Sequence, residues 1–325
     1  MSSRREFISL LGGAAAWPLA ARAQQSAMPV VGVLYGVSAA DRTEHMTAVR
    51  RGLSETGFVE GRNVAIDYRW AEDQTDRLPA IATELVQRRV AVIVATGIAM
   101  PALKGATTAI PIIFVTGYDP VRTGFVTNLS RPGGNVTGVV FTITDLVAKR
   151  LGLLHELVPK AAVIAVLLDP NQLDVEVELR GAEAAAPALG RQILIVKATG
   201  DHEFKVAFAT IMQAGAGALL IGGSPVFINQ RRQLVALTVR HALPTSFPTR
   251  DYPEAGGLMS YGPSIADAYR RAGTYAGRII KGEKPGDLPV ELASKFDLII
   301  NLATAKAIDF EIPSTLLARA DEVIE

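Results

Sequence analysis

The sequence contains no cysteine. Disulfides, thiolate metal sites and cysteine nucleophiles are therefore excluded, although an exported protein can fold without disulfides. An excess of either charge is also missing, because 33 Lys and Arg residues face 32 Asp and Glu residues and leave a net charge of +1. A near-neutral balance gives no indication of a nucleic-acid footprint or of a polybasic membrane surface. We expect neither as a direct partner of the mature protein.

The signatures of common active sites and cofactor sites are missing as well. No Gly-x-Gly-x-x-Gly motif follows the first predicted strand, and the sequence has no Gly-x-Ser-x-Gly elbow. The 4 histidines have no spacing typical of metal ligands. They are His45, His155, His202 and His241. We therefore expect no catalytic residues, no metal and no cofactor.

Residues 1–23 have the organisation of an export signal. Arg4 and Arg5 precede an apolar, alanine-rich run over 7–21, and Ala21-Arg22-Ala23 fits an A-x-A cleavage site. The paired arginines, followed by Glu6-Phe7-Ile8, resemble a twin-arginine (Tat) signal. The alternative is a helical anchor or a buried N-terminal helix. We predict cleavage after Ala23 and a periplasmic mature chain, which contains no further run suited to crossing a membrane.

Strands and helices alternate along the rest of the chain. Val30–Tyr35, Val90–Ala95 and Pro111–Val115 are continuous apolar runs, which are typical of strands buried on both faces of a parallel sheet. The pattern starts again at Ala162–Leu168, and 325 residues are enough for two domains. The sequence therefore predicts an α/β fold of two Rossmann-like lobes with parallel sheets. The tail from Ser314 to Ile324 is predicted as a helix.

A glycine-rich stretch, Arg131–Gly138, separates the two patterns. Glycine permits backbone angles that other residues avoid, so such a stretch punctuates structure. We expect the chain to cross between the lobes here, and Gly133 and Gly134 to act as a hinge. The long amphipathic helix that begins near Ser264 would return to the first lobe. The predicted first lobe is 28–134 plus about 264–292, and the predicted second lobe is 135–263 plus about 293–325.

Several segments, spread in order over the mature chain, resemble motifs of one protein family. They are Gly57-Phe58-Val59-Glu60-Gly61-Arg62-Asn63-Val64, Arg131 to Gly138, Gly256-Gly257-Leu258-Met259-Ser260-Tyr261-Gly262, Lys281-Gly282-Glu283-Lys284-Pro285 with Leu288-Pro289-Val290-Glu291, and Ala318-Arg319-Ala320-Asp321-Glu322-Val323-Ile324. The family is the ABC-transporter substrate-binding proteins of the tryptophan/tyrosine-binding type.

The resemblance implies a type I periplasmic binding fold, in which two lobes joined by a multi-crossing hinge trap a small-molecule ligand. It also implies a partner, the membrane permease of an ABC importer. Some family members look like binders of aromatic amino acids, and many have no assigned ligand. We therefore expect a monomer that captures an amino acid, aromatic or not, or a related carboxylate, and that is not an enzyme. A sensory binding protein that signals to a receptor remains an alternative, and an exported α/β enzyme is less favoured.

Candidate ligand-binding residues follow from the predicted strands. In open α/β sheets, ligands bind beyond the carboxyl ends of the strands, where helix N-termini offer free N–H groups. The loops at these ends supply a set of polar, small and aromatic residues. They are Tyr35, Ser38, Thr96, Gly97, Ile98, Thr116, Gly117 and Asp119 in the first lobe, and Asp169, Asn171, Ser224, Phe227 and Tyr261 in the second.

These residue types suit a small zwitterion. Its carboxylate could accept hydrogen bonds from Ser38, Thr96 and the N–H groups around Gly97, with help from a helix dipole. Its amine could meet Asp119 or Asp169. Apolar or aromatic parts could lie under the rings of Tyr35, Tyr118 or Phe227. The alternative interpretation is that the Ser, Thr and Asp residues only cap the helices that follow them.

Overall fold

The computed structural model describes residues 28–36, 43–72, 74–172 and 174–325. The predicted signal over 1–23 and the predicted ligand-binding residue Ser38 lie outside this part of the chain. Within it, the strands form two separate sheets, and helices cover the faces of both. The prediction of two α/β lobes is confirmed.

The first sheet is entirely parallel, with the strand order β11-β5-β4-β3-β1-β2. Its strands are β1 (Val30–Tyr35), β2 (Ala65–Trp70), β3 (Val92–Thr96), β4 (Ile112–Thr116), β5 (Val136–Val140) and β11 (Glu291–Leu292). The helices of this lobe are α1 (Thr43–Glu55), α2 (Leu78–Gln87), α3 (Met100–Ala106) and α10 (Ile265–Ile280).

Both faces of the first sheet are buried, which explains the continuous apolar runs. Along β1, Val31, Val33 and Tyr35 pack with α1 and α10 in one core cluster, while Leu34 packs with α2 in another. The two helices on the first face approach closely at Gly52, where an added Cβ would lie 1.8 Å from the Arg270 carbonyl oxygen. The helix after Ser264 therefore packs against the first sheet.

The second sheet has the strand order β13-β12-β10-β9-β8-β6-β7 and is parallel except where β10 meets β12. Its strands are β6 (Val163–Leu168), β7 (Gln192–Lys197), β8 (Ala218–Ile221), β9 (Thr245–Phe247), β10 (Met259–Pro263), β12 (Phe296–Asn301) and β13 (Glu322–Ile324). Its helices are α4 (Val147–Leu157), α5 (Val175–Leu189), α6 (Asp201–Gln213), α7 (Pro225–Asn229), α8 (Arg231–Arg240), α9 (Asp251–Glu254), α11 (Leu302–Ala307) and α12 (Ser314–Leu317).

The predicted first crossing is wrong. Residues 136–140 form β5, which pairs with β4 from Ile112↔Val136 to Thr116↔Val140, so they belong to the first sheet. Gly133 and Gly134 lie in the loop before β5, with φ of 73° and 61°, and the Gly133 N–H donates to the carbonyl of Gly286 at 3.3 Å. This loop lies within the first lobe, so these glycines cannot serve as a hinge between lobes. The glycine cluster marks a turn inside one sheet.

In the part of the chain that the structure describes, three segments pass between the sheets. Residues 141–146 lead from β5 to α4, Ser264 joins β10 to α10, and residues 293–295 lead from β11 to β12. The three passages lie side by side, since the Ala293 N–H donates to the Val140 carbonyl at 2.7 Å and the Ser264 N–H donates to the Lys295 carbonyl at 2.9 Å.

The predicted C-terminal helix is shorter than expected. The helix α12 ends at Leu317, and Glu322–Ile324 instead joins the second sheet as β13, parallel to β12. An edge strand of three residues gains its hydrogen bonds from a distant partner, so local periodicity does not reveal it.

Candidate functional site

The contacts between the lobes join loops that follow the carboxyl ends of strands. The loop after β4 meets the loop after β6 through an ion pair between Arg122 and Asp174. The start of α1, after β1, meets the loop after β9 through Glu44 and Arg250, whose charged atoms are 3.7 Å apart. Parallel sheets place their binding loops at these ends. The cleft between the lobes is therefore the candidate site.

The first interlobe contact is built on a fixed turn. The Asp119 carboxylate accepts hydrogen bonds from the N–H groups of Val121 at 2.8 Å and Arg122 at 3.1 Å, which caps the turn that carries Arg122. Asp174, at the start of α5, is only 7% exposed. Burial raises the pKa of the nearby Tyr118 phenol, and the negative charge of Asp174 raises it further. Tyr118 therefore stays neutral and can donate a hydrogen bond within the cleft.

The polar residues of the first lobe keep donors for a ligand. The Thr96 hydroxyl accepts from the Gly36 N–H at 3.1 Å, and the Thr116 hydroxyl accepts from the Tyr118 N–H at 3.1 Å. Because each hydroxyl only accepts in these contacts, its own O–H remains to donate. A Cβ on Gly97 would lie 2.4 Å from the Thr116 Oγ1, so only glycine fits between the two threonines. Thr96 is half-buried and Thr116 is 2% exposed, so the Thr96 hydroxyl is the more accessible of the two to a carboxylate.

The predicted acceptors of the second lobe satisfy one another. The Ser224 hydroxyl donates to the Asp169 carboxylate at 2.6 Å and accepts from the Val226 N–H at 3.1 Å, so it also caps α7. The other Asp169 oxygen accepts from the Asn171 N–H at 2.9 Å. Ser224 therefore caps a helix, as the alternative interpretation predicts, and it also forms a hydrogen-bonded pair with Asp169.

Tyr35 and Phe227, two aromatic residues predicted to contact the ligand, lie in the hydrophobic cores of the lobes. Tyr35 is 1% exposed and stacks on Trp70 with ring centroids 4.4 Å apart. Phe227 is fully buried and meets Phe204 edge to face at 5.5 Å. Their rings stabilise the lobes and are closed to the cleft in this structure. Of the aromatic candidates, Tyr118 is the one beside the interlobe contact.

The remaining candidates are spread along the loops. Ile98 is 49% exposed at the end of β3, and Asn171 is exposed after β6. Gly117 packs against the ring of Phe141, which an added Cβ would approach to 3.0 Å. Tyr261 is half-buried on β10 and stacks on Phe296 with centroids 6.1 Å apart. Ile98 therefore presents an exposed apolar side chain at the carboxyl end of the first sheet.

A cavity of about 240 Å³ lies between the lobes beside the second crossing. Its lining includes none of the residues predicted from the sequence. The lining residues are Thr43, Glu44, His45, Arg250, Asp251, Glu254, Pro263, Ile265 and Ala266. The sequence does not indicate the loop that carries Arg250, because this loop follows β9 and a strand of three residues has no recognisable alternation.

The cavity is acidic because one arginine, Arg250, forms ion pairs with several carboxylates and cannot neutralise them all. The Arg250 guanidinium bonds Glu254 at 2.8 Å and Glu322 at 3.2 Å, in addition to its interlobe contact with Glu44. Burial raises the pKa of Glu44, Arg250 lowers it, and the carboxylates of Glu254, Asp251 and Glu322 raise it. Such a wall attracts a cationic group more readily than an anionic one.

The described ranges contain neither a cluster of metal-ligating side chains nor a helix suited to spanning a membrane. There, no group of three or more His, Asp or Glu side chains could hold a metal ion. No helix of the same ranges combines the length and apolarity that a membrane span needs.

Known proteins resemble the chain over most of its length. Residues 30–324 match the family model described as ABC transporter substrate binding protein. A tyrosine-binding protein of Clostridioides difficile (strain R20291) is 24% identical over 262 residues, which are 80% of this chain and 75% of that protein.

Two solved structures share the architecture. A conserved domain protein from Vibrio cholerae is 24% identical, with a TM-score of 0.78 over 91% of this chain and 99% of that chain. An ABC domain from Streptococcus pneumonia in complex with L-Trp is also 24% identical, with a TM-score of 0.77 over 91% of this chain and 99% of that chain. The fold of this chain is the two-lobed type I periplasmic binding fold.

Proposed function

Because the chain belongs to the family of ABC transporter substrate binding proteins, we propose that it captures a small solute between its lobes and delivers it to an ABC importer. The observation that carries this proposal is the pairing of loops across the cleft, by Arg122 with Asp174 and by Glu44 with Arg250. A solute that contacts both lobes stabilises the closed arrangement, and no chemical step is needed for that.

The solute we propose is an amino acid with an aromatic side chain. The Thr96–Gly97–Thr116 corner supplies hydroxyl donors for a carboxylate. The acidic cavity around Glu44, or the carboxylate of Asp174, supplies a counter-charge for an ammonium group. The relative from C. difficile is named for tyrosine, and the neighbour from S. pneumonia holds L-Trp, which supports the same class.

The cellular setting we propose follows from the N-terminal sequence and the family. A Tat-type signal would export the chain, cleavage after Ala23 would release it into the periplasm, and the closed monomer would dock on a membrane permease.

A thermal-shift experiment tests the solute class. L-tryptophan and L-tyrosine at about 100 times Kd should each add roughly 2.7 kcal/mol of stability. Tryptamine lacks the carboxylate and indole-3-propionate lacks the amine, so each should give a much smaller shift at the same concentration. L-leucine controls for the aromatic ring. If another solute class raises Tm and the two aromatic amino acids do not, the aromatic assignment is wrong while solute capture stands.

A further inference from the structure

Two opposite charges are buried beneath the cleft side of the second lobe. Arg150 on α4 is fully buried, and Glu178 on α5 is 1% exposed. Arginine and glutamate are rarely buried this deeply unless their charges are compensated. Here the two charges attract each other, since Glu178 raises the pKa of Arg150 and Arg150 lowers the pKa of Glu178. Each side chain also forms hydrogen bonds with backbone groups at the end of β8.

The backbone groups they bind lie on either side of Gly222. The Arg150 Nη2 donates to the carbonyl of Ile221 at 2.5 Å and to the carbonyl of Ser246 at 3.0 Å. The Glu178 Oε1 accepts from the Gly223 N–H at 2.9 Å. The pair therefore holds both the last residue of β8 and the turn that follows it.

The contact between this turn and Glu178 is direct. A Cβ on Gly222 would lie 2.6 Å from the Glu178 Oε2 and 2.8 Å from the Leu168 Cδ2, so the carboxylate packs against bare backbone. A Cβ on Gly223 would lie 3.0 Å from the Ile143 side chain, which belongs to the first crossing. The turn thus lies between the buried charge and a segment that joins the lobes.

The same turn ends in Ser224, whose hydroxyl donates to Asp169 at 2.6 Å. A displacement of the Gly223 backbone would move Ser224 and break its short hydrogen bond to Asp169. We propose that Glu178 is a positioning residue of the solute site, which fixes the turn 222–224 from below and thereby sets the affinity of the cleft for its solute. This inference rests on the proposed function.

The protonation state of Glu178 gives the inference a distinctive signature. Burial raises the pKa of Glu178 to about 7, the Gly223 N–H and Arg150 lower it, and Asp174 raises it. Tyr252 on α9 is also close enough to interact electrostatically with Glu178. An ionised acceptor holds an N–H about twice as strongly as a neutral one. Affinity for solute should therefore fall about fivefold between pH 8 and pH 5.5.

The test compares the full mature chain with Glu178→Gln, Glu178→Ala and the matched control Glu176→Gln, an exposed glutamate of the same helix. Calorimetric titration with L-tryptophan and L-tyrosine at pH 8 and pH 5.5 measures affinity. Wild type and Glu176→Gln should lose about fivefold in affinity at the lower pH, whereas Glu178→Gln should bind with nearly the same affinity at both. If Glu178→Gln keeps the full pH dependence, another titrating group causes it and the proposal is overturned.

Hydrogen exchange without solute gives a second readout that does not depend on the solute class. In Glu178→Ala, amides of 222–227 and of 169–172 should exchange faster than in wild type, the latter because Ser224 releases Asp169. Unchanged exchange over 169–172 would overturn the proposal, whichever solutes bind. If neither amino acid binds wild type at either pH while exchange changes as expected, the aromatic solute class fails and the positioning role of Glu178 stands.

Discussion

The buried carboxylate of Glu178 should make the stability of the protein depend on pH in an unusual direction. Its pKa lies near 7 in the folded chain, above the ordinary value of 4.5, because burial disfavours the charged form. The folded state therefore binds more protons than the unfolded state between these values. The stability that this group contributes is fully present below pH 4.5 and is lost as pH rises through 7.

The magnitude follows from the size of the pKa change. A rise in the pKa of Glu178 from 4.5 to about 7 on folding corresponds to about 3 kcal/mol of unfolding free energy. Other carboxylates titrate over the same range, so the useful quantity is the difference between wild type and Glu178→Gln. Glutamine keeps the shape and an acceptor oxygen for the Gly223 N–H, but it does not titrate.

Urea denaturation at intervals from pH 4 to pH 8 measures that difference. Wild type should lose about 3 kcal/mol relative to Glu178→Gln across this range. Glu176→Gln, which changes an exposed charge of the same helix, should track wild type. A difference between wild type and Glu178→Gln that stays constant within about 0.5 kcal/mol would show that Glu178 is already ionised at pH 5, and the reasoning from burial would be refuted.

Two further predictions concern the first lobe and the cleft. Gly52→Ala should lower the unfolding free energy by about 1–3 kcal/mol, because its Cβ would overlap the Arg270 carbonyl, whereas Gly105→Ala on α3 meets nothing within 4 Å and should be neutral or stabilising in thermal denaturation. Asp174→Asn and Arg122→Ala should each weaken closure by about 1–2 kcal/mol and raise the solute-free radius of gyration in small-angle scattering, and the double variant should do no more. Additive effects would show that the two residues act separately.

Much of the fold could be predicted from local patterns. A run such as Val30–Tyr35 has apolar residues on both faces, which requires cover on both sides and hence a parallel α/β sheet. The strand Glu322–Ile324 was missed because its stability comes from pairing with β12, some twenty residues earlier in the chain. The sequence cannot distinguish the turn at Gly133 from a boundary between lobes, because glycine marks a turn equally well inside a lobe and between lobes.

The candidate site was predicted less completely, since strand ends identify loops but not the direction of side chains. Alternate residues of a strand face the same side of the sheet, so Tyr35 points to the same buried face as Val31 and Val33. There its ring stacks on Trp70. Arg122 and Asp174 were missed because their pairing depends on how two lobes meet. Polar residues near strand ends become informative only when the opposite loop is known.

The three crossings indicate how closure can occur without a glycine hinge. Neither 141–146 nor Ser264 nor 293–295 contains glycine, and hinge residues need not be small. Backbone hydrogen bonds from Ala293 to Val140 and from Ser264 to Lys295 tie the passages into one ribbon. A ribbon of this kind bends more easily than it shears, so the lobes should rotate about it as rigid bodies. Rotation would separate Arg122 from Asp174 and Glu44 from Arg250, the two ion pairs that connect loops of opposite lobes.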